Sequence, residues 1–333
     1  MLRFWILSLL CAGSLHAGIE LRLPTENHFL FGDEPERFYM YVDRSFEGQT
    51  TQPWQAGCFG YVRNSVRVNN QIIQTKFHEG IDIQPMQRDA GGNPLDTVSS
   101  IADGKVAYIN PVPGHSNYGR YVVIEHQWEN SPVYSLYAHL ASIDCKLGDP
   151  IAVGAAIGTL GYTGSGITKI RAHVHLELGM LMSSRFEEWS KGTINYHGTF
   201  NGLNLTGANI AEFFIEHRKN PELKFSEFIA STPVYFKVIT PAKGIPEMVQ
   251  RYPWICRGNP EGATSWEISF SATGMPIAFT PSQRQVESPI VSAIHPSEIP
   301  HQYLTRNLVS GKNNEATLTE GGKKLVALLM NDF

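Results

Sequence analysis

The most constraining feature of the chain is the octapeptide Arg171-Ala172-His173-Val174-His175-Leu176-Glu177-Leu178. Its polar residues fall at every second position with Val174, Leu176 and Leu178 between them, the period of a β-strand. His173, His175 and Glu177 then share one face. Two imidazoles held side by side on a rigid strand suit a metal ligand and a neighbouring proton donor or acceptor. The same pattern also fits a solvated strand face, so the choice falls to the rest of the chain.

With 333 residues there is length for one large or two moderate domains around a buried core. The 42% hydrophobic and 17% charged content is that of an ordinary soluble globular protein, and a formal charge of −4 leaves no basic footprint for nucleic acid. No stretch reaches the roughly 20 apolar residues of a membrane span. At the N-terminus Arg3, the apolar run Phe4 to Gly13 and the small residue Ala17 come in the order of a removable export signal, which predicts cleavage after residues 1–17. Cys11 raises a lipoprotein alternative, but Leu10 stands where a small residue is wanted. Export to the periplasm or the extracellular space brings an oxidising compartment, in which Cys58, Cys145 and Cys256 can form at most one internal disulfide.

Residues 18–53 show no long period and read as a lead-in segment that packs on the domain C-terminal to it. Over residues 54–200 the runs Lys105 to Asn110, Tyr121 to His126, Tyr134 to Leu140, Ala156 to Tyr162 and Ala172 to Leu178 alternate with glycine turns. With no convincing helix between them, they predict a mainly β fold built on an antiparallel sheet. Residues 201–333 read as a smaller α+β region. Thr206 is expected to cap a helix carrying Ile210, Phe213, Phe214 and His217. Trp266, Ile268 and Phe270 alternate, and Met275 to Phe279 return as their partner after a Thr273-Gly274 turn; a last helix is expected from about Thr319 to Met330. His197, His217, His295 and His301 have no ligand-like spacing and read as surface or packing residues.

Upstream lies Phe77-His78-Glu79-Gly80-Ile81-Asp82-Ile83. A helical His-Glu-x-x-His motif is excluded because position 82 is Asp and Gly80 disfavours a helix, so Glu79 is not a candidate base. In an extended strand the α-carbons of His78 and Asp82 would stand about 13 Å apart, too far for one metal unless the chain bends, and Gly80 permits a bend. His78, Asp82 and one histidine of the later pair would then make a three-ligand set with an open position, the pattern of a catalytic zinc. The third piece, Tyr134-Ser135-Leu136-Tyr137-Ala138-His139-Leu140, carries a histidine near its end that on its own reads as a satisfied strand-end residue. Glu177 is expected to be a solvated strand carboxylate rather than a group fixing a histidine tautomer, His126 to be structural, and His115 to be solvated.

In this order, His and Asp four apart, Tyr-Ala-His-Leu, and His-x-His-Leu-Glu, the chain resembles the lysostaphin-like or LytM-type zinc metallopeptidases, most of which cut peptidoglycan peptides. The connecting stretches Cys58 to Arg63, Ala102 to Val106, Tyr118 to His126 and Gly158 to Gly164 agree, and the resemblance covers about residues 54–181. It implies one zinc ion held by His78, Asp82 and His175, with His139 and His173 as catalytic histidines and peptidoglycan peptides as substrate. Two stretches depart from the family's usual pattern: Gln84 to Thr97 is longer, and Gly166 to Ala172 replaces a short approach to the His-x-His strand. The same resemblance leaves two rivals: a regulator of other wall hydrolases that binds without turnover, and a secreted zinc peptidase acting on proteins.

Overall fold

The computed structural model describes residues 18–42, 45–50, 52–193, 195 and 197–333. The expected export signal, 1–17, lies outside the described residues. The principal strands of the first two thirds are β1 (Gly60–Val68), β2 (Gln71–His78), β3 (Ile81–Ile83), β4 (Gly104–Asn110), β5 (Tyr121–Trp128), β6 (Ser131–Ala138), β7 (Pro150–Ile151), β8 (Val174–Leu181) and β9 (Leu205–Gly207). Seven of them form one antiparallel sheet in the order β7-β4-β5-β6-β8-β9, with β3 also paired to β8. The mainly antiparallel β architecture expected from the sequence is therefore what the chain adopts.

Strand β8 is the hub of that sheet. One of its edges is filled by β6, from His175 opposite Ala138 to Gly179 opposite Tyr134. The other edge is shared, first by β3 and then by β9. Every residue of β8 is buried, as is His173 just before it, which excludes the solvated-face reading of His173 and His175. Val174, Leu176 and Leu178 join the main core with Ile81, Ile83, Val122 and Tyr137, while a smaller cluster of Tyr118, Tyr121, Val123, Tyr134 and Leu136 covers the opposite face. Alternation along the strand thus sorts apolar residues into one layer and the polar triplet into the other.

The bend between β2 and β3 falls at Glu79 and Gly80, as the sequence required. The cause is steric: a Cβ on Gly80 would stand 2.3 Å from the Leu176 carbonyl oxygen and 3.0 Å from the His175 ring. Only glycine lets the backbone pass this close to β8. The lead-in then clamps β3 from outside, with Met40 N–H donating to the Asp82 carbonyl at 2.8 Å and Gln84 N–H to the Phe38 carbonyl at 3.0 Å.

The remaining third contains α1 (Ile210–Lys219), α2 (Phe225–Ser231), β10 (Phe236–Pro241), β11 (Ser265–Phe270), β12 (Pro276–Ser282), β13 (Ile290–Ile294), β14 (Val309–Lys312), β15 (Glu315–Leu318) and α3 (Glu320–Met330). Its four-stranded antiparallel sheet runs β12-β11-β10-β13. The cap of α1 is Asn209, whose side chain accepts from Glu212 N–H, and not Thr206, which is drawn into β9 by pairing with β8. The last helix runs where the sequence predicts it, with Thr319 as its cap. This region shares the core of the first: Trp128 packs edge-on against Phe225 at 5.6 Å, and Tyr252 Oη accepts from Leu181 N–H at 2.8 Å. His217 and His301 are buried packing residues, His301 bridging Tyr235 Oη and the Asn313 carbonyl. Among the described residues, no disulfide joins Cys58, Cys145 or Cys256. Among the described residues no helix is long and apolar enough to cross a membrane.

Two stability measurements test this architecture. Gly80→Ala should lower the unfolding free energy by about 1–3 kcal/mol through overpacking against β8, whereas Gly114→Ala, where nothing lies within 4 Å, should not. Equal denaturation midpoints for the two variants would contradict the close approach. The second test concerns His126, which is structural as expected: its ring is buried between the Asp103 carbonyl and Ser135 Oγ. Burial pushes its pKa from 6.5 down to about 4. The unfolded chain therefore binds the extra proton, and stability that is complete above pH 6.5 is lost as pH falls toward 4, by about 2–3 kcal/mol. His126→Asn should flatten that part of the profile, and an unchanged slope would assign it to other groups.

Candidate metal centre

Three backbone devices bring distant side chains together. Antiparallel pairing of β3 with β8 sets Asp82 directly opposite His175. The Gly80 bend returns His78, the last residue of β2, to the same point. His173 precedes β8 and is held by a bridge to Gly161, and His139 follows the end of β6. The expected ligands His78, Asp82 and His175 offer donor atoms that all lie within 4.8 Å of one another. His139 and His173 stand beside them, with ring centroids 4.6 Å apart and the His139 ring 5.9 Å from that of His175. All five sequence-nominated residues are thus in one place.

The donor set has the chemistry of a cation site. Asp82 Oδ1 lies 2.9 Å from His175 Nδ1 and 3.1 Å from His78 Nε2, and those two nitrogens are 3.1 Å apart. Neighbouring donors in a tetrahedral zinc shell stand about 3.3 Å apart, so the three atoms nearly outline one face of such a shell. Their other polar atoms are committed elsewhere. His78 Nδ1 donates to the Cys58 carbonyl at 2.8 Å, which turns the Nε2 lone pair inward. His175 Nε2 donates to Glu177 Oε1 at 2.9 Å, which does the same for Nδ1. Two inward imidazole lone pairs cannot bond to each other without a proton or a cation between them.

Electrostatics agree. Burial pushes the Asp82 carboxyl up, but the facing His78 and His173 and hydrogen bonds from His173 and His175 hold it well below the usual carboxylate range. Burial also disfavours a charged His175, yet its hydrogen bonds to Asp82 and Glu177 prevail and push its pKa up to about 10. Without a cation the Nδ1 proton fills the gap, so metal uptake here would release a proton.

His139 adopts a left-handed backbone, φ +65°, uncommon for a residue with a side chain. The turn ends β6 two residues earlier than the Tyr134 to Leu140 run predicts and swings the imidazole toward His173. Its Nδ1 donates to the Thr163 carbonyl at 2.9 Å, leaving Nε2 as an acceptor. Burial, with His173 and His175 adding to it, holds the His139 pKa well below 6.5, so the ring is neutral at pH 7. His173 is oriented alike, with Nδ1 donating to the Arg171 carbonyl at 2.7 Å and Nε2 3.4 Å from Asp82 Oδ1.

Glu177 corrects the sequence reading. It is 2% exposed, not solvated. Its Oε1 accepts from His175 and, at 2.6 Å, from Tyr118 Oη, while Oε2 has no partner. A residue on the polar face of a fully buried strand cannot reach water, and full burial is a signal that the two-residue period alone does not carry. Sequence reasoning also gives no role to Tyr118 or to Arg63, which donates to Asp82 Oδ2 at 2.6 Å. The two stretches that depart from the family pattern pack on each other. Arg88 donates to the carbonyls of Gly92, Lys169 and Ile170, and Lys169 Nζ to the Gly91 carbonyl. Together they form one wall beside His173, with Ile170 exposed on it.

Residues 76–184 match Peptidase family M23. No curated protein matched the chain. Among solved structures, the catalytic domain of the prophage-encoded M23 protein EnpA from Enterococcus faecalis is 23% identical over 32% of this chain and 69% of its own, at a TM-score of 0.25. A zinc-containing peptidase from Vibrio cholerae is 29% identical over 43% of this chain and 36% of its own, with a TM-score of 0.27. The catalytic domain of lysostaphin from Staphylococcus simulans is 21% identical over 47% and 90%, with a TM-score of 0.30.

Glu177→Gln should weaken metal binding about 10–100-fold, because a neutral amide accepts the His175 Nε2–H bond more weakly than a carboxylate and can also turn its NH2 toward that nitrogen. Competition against a chelator of known affinity measures this, and wild-type affinity in the variant would remove Glu177 from the site.

Proposed function

We propose that this chain, whose residues 76–184 match Peptidase family M23, is an exported zinc endopeptidase that hydrolyses peptide bonds in peptidoglycan stem peptides or cross-bridges. The observation that carries the reading is the convergence of His78, Asp82 and His175 with the tautomers of both imidazoles fixed by outward hydrogen bonds.

The fitting ion is zinc, which when bound by these residues activates water near neutral pH and polarises a carbonyl oxygen. The chain's own groups do the rest. His139 Nε2 is an acceptor in its hydrogen-bonded tautomer, and His173, whose Nδ1 is likewise tied to a carbonyl, presents its Nε2 beside it at the ligand set. One would accept a proton from the attacking water and hold it as an imidazolium, and that same proton, passed on directly or through the neighbouring ring, would go to the departing amine, so that the histidines end as they began. The left-handed turn at His139 holds its ring in place without a flexible linker, so the proton has a short, fixed path.

Purified peptidoglycan and unfolded protein substrates, digested in parallel and read by mass spectrometry with metal analysis of the same sample, test the proposal. Peptidoglycan peptides should gain a new amino terminus, and chelation should abolish the reaction. His139→Ala should keep the metal while losing about 10²–10⁴-fold in kcat, and His175→Ala should lose both. Binding to peptidoglycan without cleavage by a metal-loaded protein would overturn the enzyme reading in favour of a regulator, and cleavage of protein substrates alone would overturn the peptidoglycan assignment.

A further inference from the structure

The two oxygens of Asp82 face different neighbours. Oδ1 points to the three imidazoles, at 2.9 Å from His175, 3.1 Å from His78 and 3.4 Å from His173. Oδ2 points the other way and receives Arg63 Nη2 at 2.6 Å. The guanidinium is itself anchored, because Arg63 Nε donates to the carbonyl of buried Ala56 at 2.9 Å. A planar fork bound at both ends has little freedom left.

The strand is shaped to deliver this side chain. In the β1–β2 hairpin Tyr61 opposes Phe77 and Arg63 opposes Lys76, so two steps along β1 match one along β2. This bulge reverses the alternation and turns Arg63 onto the face opposite Tyr61. Tyr61 Oη accordingly reaches away to the Ala272 carbonyl, while Arg63 reaches Asp82.

We propose that Arg63 is a positioning residue that fixes Asp82 as a one-oxygen metal ligand, by occupying the oxygen turned away from the histidines. A carboxylate with both oxygens free can grip a cation through both and fill a coordination position that catalysis leaves to water. With Oδ2 turned away and held by Arg63, Oδ1 is the oxygen presented to a cation. The inference rests on the metal reading of the site.

The test uses the full chain with cobalt(II) in place of zinc, because the intensity of the visible cobalt band reports coordination number. Wild type should bind one cobalt with the strong band of four-coordination. Arg63→Gln should still bind one cobalt, with the band weakened toward five-coordination and peptidase activity about 10–100-fold lower. Arg63→Lys, which keeps the cation but not the Ala56 anchor, should fall between the two in both readouts. An Arg63→Gln band identical to wild type overturns the inference alone, whereas failure of wild type to bind cobalt overturns the metal reading and the inference with it. Should Arg63→Gln not fold, Arg63→Lys decides: an intermediate band supports the role, and a wild-type band with a lowered thermal midpoint makes Arg63 a structural staple.

Discussion

The structure depends on one antiparallel pairing, the short β3 laid against β8 so that Asp82 stands opposite His175. Directly opposed residues in such a ladder have neighbouring side chains on one face of the sheet, which makes a carboxylate and an imidazole meet without a long or flexible reach. The pairing exists because Gly80 lets the chain turn tightly beneath the Leu176 carbonyl and because the lead-in covers the outer edge of β3. A three-residue strand would hold poorly alone. Between β8 and the lead-in it has partners on both sides.

That geometry concentrates polar groups inside a sheet whose surroundings are apolar. Unpaired, each would be costly to bury. Here nearly every atom has an assignment: His78 is tied to a backbone carbonyl, His175 to Glu177, Glu177 to Tyr118, and Asp82 to Arg63. These outer partners point the inner lone pairs at one volume, a form of preorganisation that a solvated cluster lacks. The wall built from Arg88, Gly91, Lys169 and Ile170 belongs to this chain's two departures from the family pattern, and it stands next to His173 rather than at the ligands. Variation there can alter what enters the site without disturbing the cluster of His78, Asp82 and His175.

Much of this is legible in the amino-acid order. The two-residue period of residues 171–178 specifies the strand, the glycine at 80 permits the bend, and the spacing of histidines with Asp82 marks a ligand set that the fold brings together. The features that escape such a reading share one physical cause. Periodicity reports which face a residue is on, not whether that face is covered, so Glu177 reads as solvated although the layer of Tyr118 and Tyr121 buries it. Arg63 shows no sign of its role because a bulge changes the face its strand presents, and bulges leave no mark in a simple alternation. The true cap of α1 is hidden for a related reason: Thr206 is a good cap in isolation, but β9 claims it for long-range pairing with β8.

The hydrogen bond between Asp82 and His175 joins residues 93 positions apart, and His78 lies 97 positions from His175. No local segment can therefore assemble the ligand set early, and closing so long a loop comes late relative to hairpins such as β1–β2 or β5–β6. An ion that needs all three donors must arrive after the chain has closed on itself. Its capture would mark the completion of folding rather than its nucleation, unlike small zinc modules that the metal itself organises.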